Sequence, residues 1–214
     1  MVVGALVGYL FGTLPSADVA GRLASGGVSD LRSVGSGNPG AANAIAQLGP
    51  TWGYGVLAAD VAKAAAACAV ARRLAGDMAG HVAGTAAVVG HCYPVWNGFK
   101  GGKGVAASAG QCLATFPAYT PIDLGVAALS AASPRWKSRA YSATVLASAA
   151  WVAAGVVWWR TGWRNGWGPA PTAALPLAAA ASSGIILHRF AAASAASATA
   201  TSSVVVEPSM AAGR

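Results

Sequence analysis

The sequence predicts an all-α polytopic membrane protein of about seven transmembrane helices, with two glycine-rich polar loops at one membrane face. Hydrophobic residues make up 55% of the 214 residues, and the mean hydropathy is +0.53. Only 9% of the residues are charged, whereas about a quarter are charged in a typical soluble domain. So little charge cannot cover a globule in water, and the lipid bilayer is the solvent that fits this composition.

Apolar segments follow one another along the chain, and most approach the length of about 20 residues that crosses a bilayer. Pro117 and Pro121 interrupt the segment at 105–133. Because proline breaks the helical hydrogen-bond ladder, this segment predicts a hairpin of two short helices turning near residues 117–122. A single long kinked helix is the alternative. The other predicted crossings are residues 2–19, 52–70, 80–96, 141–159 and 172–187.

The chain is predicted to form one membrane domain over residues 1–190, without an internal repeat. Residues 191–214 are rich in alanine, serine and threonine and carry almost no charge. Such low-complexity composition is typical of disordered segments. We therefore expect a disordered cytoplasmic tail after the last crossing.

The net charge of +8 comes from 14 Lys/Arg against 6 Asp/Glu. The basic residues lie in short runs between apolar segments, as topology determinants do, and are not gathered into the basic patch that nucleic acid requires. We expect the bilayer as a partner and no nucleic acid. The membrane face that holds the two polar loops carries more lysine and arginine than the other face. This excess places the loop face and the C-terminus in the cytoplasm, and the N-terminus outside. That face carries Arg22, Arg32, Lys100, Lys103, Arg135, Lys137, Arg139 and Arg189, and the other carries Arg72, Arg73, Arg160 and Arg164, offset by Asp77 and Asp123.

Three cysteines, Cys68, Cys92 and Cys112, lie in apolar or membrane-edge context. They form neither a C-x-x-C pair nor a zinc-binding spacing. We interpret them as small buried hydrophobic residues, and the sequence predicts neither a metal nor a cofactor.

The first polar loop reads Ser33-Val-Gly-Ser-Gly-Asn-Pro-Gly-Ala-Ala-Asn43. Such a run lets backbone N–H groups converge on one point, and such nests bind anions, above all phosphate. The Ser36 hydroxyl and the Asn38 and Asn43 amides could add hydrogen bonds. An ordinary flexible connector of Gly and Ser is an equal alternative.

The second polar loop reads Gly98-Phe-Lys-Gly-Gly-Lys-Gly-Val105 and opens a predicted helix. Backbone donors and a helix N-terminus both favour phosphate, and Lys100 and Lys103 add positive charge. The loop is not a Walker A motif, because Gly104 stands where the magnesium-binding hydroxyl is needed; this excludes an ATPase of that type. The alternative is that the two lysines only anchor the chain at the lipid headgroups.

Three further ionisable residues lie in or beside apolar segments. Asp60 and Lys63 are three residues apart and therefore share one helix face. A charge at the centre of a membrane helix costs about 2.5–3.5 kcal/mol on translocon scales, so the pair indicates either a functional site or a structural ion pair. His91 ends the third segment and is a candidate site residue, although helix-end histidines are often only hydrogen-bonded polar residues.

Both loops resemble those of the bacterial membrane glycerol-3-phosphate acyltransferases that use acyl phosphate as donor, the PlsY family. Ser36-Gly-Asn-Pro-Gly-Ala-Ala-Asn43 is similar to the family's S-G-N-P-G-A-T-N loop. Gly90-His91 with Phe99-Lys-Gly-Gly-Lys-Gly-Val-Ala106 is similar to its G-H … F-K-G-G-K-G-V-A motif. The likeness covers residues 5–189 and includes Leu14-Pro-Ser-Ala, Asp60-x-x-Lys63 and Arg139-x-x-Ser142.

The resemblance implies a seven-helix fold that moves an acyl group from acyl phosphate to the 1-hydroxyl of glycerol 3-phosphate, giving lysophosphatidate and phosphate at the cytoplasmic surface. Acyl phosphate is already activated, so no cofactor is needed. The implied catalytic residues are Ser36, His91, Lys103 and His188. The implied phosphate- and substrate-binding residues are Gly35, Gly37, Asn38, Gly40, Asn43, Lys100, Gly101, Gly102, Gly104, Asp60 and Lys63.

Two departures from the family pattern bear on activity. The family's first loop continues to an arginine, T-N-x-x-R, where this chain has Ile45, Ala46 and Gln47. Its third motif reads roughly H-R-x-N-I, where this chain keeps His188 and Arg189 but has alanine at position 191. A catalytically degenerate paralogue that binds lipid intermediates or acts as a scaffold is therefore the alternative. A small-molecule transporter is a third possibility, against which the missing repeat argues.

Overall fold

The computed structural model describes residues 1–24, 30–132 and 140–205, and every regular element in these ranges is helical. This confirms the all-α prediction. A short 3₁₀ turn, Val95–Asn97, lies between the fifth and sixth α-helices. The α-helices are α1 Val2–Gly12, α2 Ser16–Ala24, α3 Ala41–Leu48, α4 Pro50–Ala75, α5 Asp77–Cys92, α6 Val105–Thr115, α7 Thr120–Ala132, α8 Ala140–Thr161 and α9 Ala174–Val205.

Four helical stretches are long and apolar enough to cross a membrane: Val2–Ala24, Pro50–Ala75, Tyr141–Thr161 and Ala174–Ala195. They correspond to four of the predicted crossings. The third predicted crossing, 80–96, is a shorter helix of 16 residues that ends at Cys92, because Pro94 cannot continue it. The chain is thus a helical membrane protein, whereas the count of seven crossings stays a prediction.

The first predicted helix, 2–19, is wrong as a single continuous element. It breaks after Gly12, and α2 begins at Ser16. Pro15 lacks a backbone N–H and its ring excludes the preceding turn, so the helix is interrupted between the two. The break opens the backbone beside the middle of α4, where the Leu14 carbonyl accepts a hydrogen bond from Lys63 Nζ at 2.9 Å.

Helices α1 and α5 pack through small residues at four-residue spacing. A Cβ added to Gly4, Gly8 or Gly12 would lie 2.2–2.4 Å from a backbone oxygen of α5. Only glycine permits this approach, which is typical of close helix pairs in membranes. The facing carbonyls belong to Ala79, Ala83 and Ala87. This contact places the end of α5 against the break after α1.

A buried polar network joins α5, α6 and α9. The Ser182 hydroxyl donates to Gln111 Oε1 at 2.7 Å and lies 3.3 Å from the Thr85 hydroxyl. Ser182 and Gln111 are both fully buried, where a hydrogen bond between polar groups is needed to offset their desolvation. The network fixes the orientation of α6, whose first turn follows the second glycine-rich loop.

The C-terminal half follows the predicted order with one difference. The segment at 105–132 divides into two short helices, α6 and α7, as predicted, with the turn at residues 116–119. The last helix, in contrast, runs on to Val205. Residues 191–205 were expected to be irregular and are helical instead. Residues 206–214 and 133–139 lie outside the described residues, and the division into a 1–190 domain and a tail stays a prediction.

Loops that were predicted to share a membrane face do meet in the structure. Arg32 Nε donates to the Lys100 carbonyl at 2.8 Å, and Arg189 Nη2 donates to the Gly101 carbonyl at 2.7 Å. At the opposite ends of α4 and α5, Arg72 contacts Asp77 and the Trp167 carbonyl. The two polar ends are separated by the length of α5, about 24 Å at 1.5 Å per residue.

Candidate functional site

The second glycine-rich loop is held against the end of α5 by its own backbone. The Gly101 N–H donates to the Cys92 carbonyl and the Gly102 N–H to the His91 carbonyl, each at 3.1 Å. A Cβ at Gly101 would lie 2.1 Å from the His91 carbonyl, and one at Gly102 would lie 2.2 Å from His91 Nε2. The two glycines therefore allow close approach to His91. Their N–H groups have backbone acceptors, which differs from the prediction that they point at a phosphate.

The last helix holds the same loop from its other side. Arg189 Nε donates to the Gly102 carbonyl at 3.1 Å, beside the contact of Nη2 with Gly101. The Arg189 guanidinium also lies 5.2 Å from the centre of the Tyr93 ring, and the Tyr93 hydroxyl is 2.9 Å from His188 Nδ1. His188 and Arg189 thus bind protein groups and fix the shape of the loop.

Lys103 is the residue of this loop best placed to bind an anion. It is half-buried, and its Nζ lies 4.5 Å from the centre of the Phe190 ring. Within the described residues no carboxylate forms an ion pair with it. Burial, together with the charge of Arg189, lowers the pKa of Lys103. Helix α6 begins two residues later, and its first N–H groups have no partner within the helix, so lysine and helix terminus form one electropositive site.

The first glycine-rich loop is shaped by Asn43, which lies in the first turn of α3 rather than in the loop. Its Nδ2 donates to the carbonyls of Leu31 and Val34 at 2.9 and 3.1 Å, and its Oδ1 accepts the Ser36 N–H at 3.1 Å. The Asn43 amide therefore organises the loop instead of reaching a ligand. The positive φ angles of Gly35 and Gly37, 58° and 67°, suit glycine at these turns.

The other predicted residues of this loop are Ser36, Asn38 and Gly40. Ser36 is exposed. Gly40 caps the N-terminus of α3, and its own N–H donates to the Asn38 carbonyl at 2.8 Å. The exposed hydroxyl and the start of α3 leave Ser36 and its neighbours able to contact an anion from solvent.

A buried ionic cluster lies beneath the second glycine-rich loop. Asp60 is only 1% exposed, and its Oδ1 lies 2.8 Å from Lys63 Nζ and 3.3 Å from His91 Nδ1. The same oxygen accepts the Ser16 hydroxyl. The predicted pairing of Asp60 with Lys63 is confirmed, and His91 joins it from α5. Asp60 Oδ2 has no hydrogen-bond partner among the described residues, which leaves one buried acceptor beside the cluster.

Three residues that the sequence analysis did not single out as site residues complete this region. Arg32 binds the Asp18 carboxylate through two guanidinium nitrogens, and Asn97 Nδ2 donates to the same carboxylate at 2.7 Å. Asp18 interrupts an apolar segment, and an ionisable residue in such a segment is itself a signal of function. The contacts of Arg32 and Asn97 are between distant segments, and local spacing gives no sign of them.

These groups border a narrow polar cleft of about 20 Å³, room for little more than one water molecule. Small-molecule sites usually span about 300–1,000 Å³, so the cleft is too narrow to hold a substrate in this conformation. Arg32 lies across it, between α2 and the Lys100 carbonyl. The charged and polar residues that line the cleft are Ser16, Asp18, Arg32, Lys63, His91 and Asn97.

An apolar groove of about 420 Å³ adjoins this cleft between α2 and α4. Val19, Ala59 and Trp52 line its length. The groove and the cleft share four residues, Leu14, Pro15, Ser16 and Lys63. A polar compartment therefore meets an apolar one at the break between α1 and α2.

Comparison with known proteins assigns the chain to a family. The family model for glycerol-3-phosphate acyltransferases matches residues 2–194. Glycerol-3-phosphate acyltransferase 1 of Rhizobium johnstonii is 39% identical over 137 residues, 64% of this chain and 66% of that protein. The enzyme named glycerol-3-phosphate acyltransferase in Maricaulis maris is 46% identical over 121 residues, 56% of this chain and 54% of that protein. The matched regions thus span about half to two thirds of these relatives.

Two solved structures share the fold. Both are crystal structures of PlsY (YgiH), an integral membrane glycerol 3-phosphate acyltransferase, and both are 26% identical to this chain. The glycerol 3-phosphate form has a TM-score of 0.68 and covers 95% of this chain and 99% of that one. The lysophosphatidic acid form has a TM-score of 0.66 and covers 88% and 86%. The predicted resemblance is confirmed: this chain belongs to the glycerol-3-phosphate acyltransferase family.

Proposed function

We propose that the protein transfers an acyl group from acyl phosphate to the 1-hydroxyl of glycerol 3-phosphate, releasing lysophosphatidate and inorganic phosphate. The observation that carries this proposal is the junction of the polar cleft with the apolar groove at Ser16 and Lys63. An acyl phosphate has the same two parts, an anionic head and an alkyl tail. Its phosphate is assigned to the cleft, which has to widen at Arg32 to admit it, and its tail to the groove.

Two cationic regions suit the two phosphates of the reaction. Lys63 lies at the junction, 8% exposed and beside the Ser16 hydroxyl. Lys103 stands at the start of α6 without an acidic partner among the described residues. Because Lys63 is already paired with Asp60, Lys103 is the stronger candidate for neutralising a doubly charged phosphate.

The chemistry needs positioning and charge stabilisation more than covalent participation. The oxygen of the glycerol 1-hydroxyl forms a bond to the carbonyl carbon of the donor, and the bond from that carbon to the phosphate oxygen breaks. The phosphate leaves with the electron pair and takes up the hydroxyl proton. The chain is assigned two contributions. Lys103 and the α6 N-terminus bind the phosphate of glycerol 3-phosphate and so hold its hydroxyl near the carbonyl, and Lys63 at the cleft neutralises the departing phosphate.

The predicted catalytic residues divide into two roles under this proposal. Ser36 and Lys103 have accessible polar groups and are assigned to substrate contact. His91 is 7% exposed and contacts Asp60, and His188 contacts Tyr93, so both histidines are assigned to positioning the glycine loop. The remaining predicted glycines and Asn43 shape the two loops around these contacts.

The orientation in the membrane follows from charge. We assign both loops to the cytoplasmic side of a bacterial inner membrane and the N-terminus to the outside, in seven crossings counting the α6–α7 hairpin as two. The support is the excess of arginine and lysine on the loop side. Neither a cofactor nor a nucleic acid enters the proposed reaction, and the oligomeric state plays no part in it.

The family arginine that is missing after Asn43 makes turnover the point to test. Phosphate release by the purified protein should be measured with palmitoyl phosphate and glycerol 3-phosphate, each alone and both together. Release that requires both substrates, and that falls in Lys103→Met and Ser36→Ala, supports the enzyme. Arg164→Gln, at the opposite face, is the matched charge control.

The alternative of a degenerate paralogue makes a different prediction in the same assay. Protein that binds palmitoyl phosphate but releases no more phosphate than Lys103→Met would be a binding protein that has lost turnover. Gel-filtration profiles of all variants establish that each is folded before the rates are compared.

A further inference from the structure

A second groove lies at the membrane face opposite to the polar cleft, between the ends of α4 and α6. Its volume is about 550 Å³, within the range of about 300–1,000 Å³ that small-molecule sites occupy. It is separated from the catalytic region by the length of α5. Its lining includes Ala65, Ala69, Arg72, Arg73, Leu113 and Trp167.

The mouth of this groove carries a net positive charge. Arg72 is engaged by protein groups, since its Nε lies 2.7 Å from Asp77 and its Nη1 donates to the Trp167 carbonyl at 3.0 Å. Asp77 is therefore neutralised by Arg72. Arg73 is exposed, and within the described ranges its side chain has no hydrogen-bond or ion-pair partner. One arginine is left to bind an anion at the mouth.

The wall of the groove is formed mainly by small apolar side chains. Ala65 and Ala69 lie one turn apart on α4 and line the groove from Arg72 and Arg73 toward the middle of this helix. Leu113 and Ala114 face them from α6. Trp167 closes the polar end, where its indole N–H donates to the Leu113 carbonyl at 3.1 Å. Tryptophan at such a position is typical of the membrane–water interface.

We propose that this groove binds one anionic phospholipid of the surrounding bilayer. The lipid phosphate contacts Arg73 at the mouth, and one acyl chain lies along the wall formed by Ala65, Ala69 and Leu113. The complementarity of an unpaired arginine with a phosphate, placed at headgroup depth above an alkyl-sized groove, identifies this class of ligand. The site is independent of the acyl-transfer reaction.

Lipid binding by the full-length protein in detergent can be measured by native mass spectrometry. Phosphatidylglycerol and phosphatidylcholine with identical acyl chains separate the contribution of the headgroup charge. We expect phosphatidylglycerol to bind about fivefold more tightly, which is the size of one contact between an arginine and an anionic lipid. Arg73→Gln should reduce its affinity to that of phosphatidylcholine, whereas Arg164→Gln, an equal charge change elsewhere on this face, should not.

A second variant tests the wall without changing charge. Ala69 is exposed in the groove, so Ala69→Phe should fill it and weaken both lipids, whereas Ala149→Phe on the exposed side of α8 should weaken neither. Equal binding of the two lipids, or equal loss in Arg73→Gln and Arg164→Gln, would overturn the proposal in favour of unspecific annular lipid. Oleate binding as tightly as phosphatidylglycerol would assign the site to fatty acids and also overturn it.

Discussion

The imidazole of His91 lies 3.3 Å from the Asp60 carboxylate, and this contact joins the end of α5 to the middle of α4 directly beneath the second glycine-rich loop. Gly102 rests on the other nitrogen of the same imidazole. The position of the loop, and of Lys103 after it, therefore depends on a buried ionic cluster. Substitution of Gly102 should reveal this dependence in the rate of the reaction, and substitution of Asp60 should reveal it in the free energy of unfolding.

Gly102→Ala should damage activity more than stability. Its Cβ would lie 2.2 Å from His91 Nε2, so the loop or the imidazole must move by about an ångström, and a displacement of that size can cost about 100-fold in rate. Initial rates of phosphate release measure the effect. Gly125→Ala in α7, whose Cβ would meet no atom within 4 Å, is the control. Equal rates for wild type and Gly102→Ala would contradict the assigned role.

Asp60→Leu should destabilise the protein strongly, because it leaves Lys63 as an unpaired buried charge. Removing one member of a buried pair typically costs about 3–5 kcal/mol. The double variant Asp60→Leu/Lys63→Met removes both charges and should recover much of that loss. Unfolding in mixed micelles of increasing SDS fraction measures the free energy of each.

The exposed pair of Arg72 and Asp77 provides the comparison. Asp77→Asn should change the free energy of unfolding by only about 0.2–1 kcal/mol, as exposed ion pairs do. A double variant at Asp60 and Lys63 that is as unstable as the single one would show that the cluster is held together by packing rather than by its charges.

Gly55→Phe should shorten the acyl chain that the enzyme accepts. Gly55 lines the apolar groove, and a Cβ there would meet no atom within 4 Å, so the helix tolerates a side chain while the groove loses volume. We expect kcat/KM for palmitoyl phosphate to fall and that for octanoyl phosphate to stay near the wild-type value. The same fall for both donors would show that the acyl chain lies elsewhere.

Anion binding should weaken at alkaline pH earlier than an ordinary lysine would allow. Burial and Arg189 lower the pKa of Lys103, so its positive charge is present below that pKa and is lost as the pH rises through it. Binding of glycerol 3-phosphate, measured by calorimetry across the alkaline range, should decline accordingly. Lys103→Arg, which stays charged throughout, should remove the decline; an unchanged decline would place the titrating group elsewhere.

Local patterns in the sequence predicted much of this architecture. The i, i+3 spacing of Asp60 and Lys63 predicted an ion pair within one helix, and the structure contains it. The prolines at 117 and 121 predicted a turn within one apolar segment, and the structure contains that turn as well. Pro15 carries the same signal as those two prolines, but the apolar run around it predicted an uninterrupted helix. Proline therefore interrupts a helix inside an apolar segment as readily as at the end of one.

Contacts between distant segments were beyond prediction. The backbone N–H groups of Gly101 and Gly102 were expected to favour a phosphate, yet they donate to carbonyls at the end of α5. The link from Arg32 to Asp18 and the Lys100 carbonyl depends on the packing of α2 against two loops. Local spacing indicates which residues are able to bind a phosphate. The tertiary fold determines which of their N–H groups already donate hydrogen bonds to other parts of the protein.

Formation of lysophosphatidate tests the central claim most directly. Purified protein is incubated with glycerol 3-phosphate and either palmitoyl phosphate or palmitoyl-CoA, and the product is identified by mass spectrometry. We predict 1-palmitoyl lysophosphatidate from palmitoyl phosphate, in amounts equal to the phosphate released, and strongly reduced formation in Lys103→Met. Absence of this product from a folded protein that still binds palmitoyl phosphate would contradict the assignment as an acyltransferase.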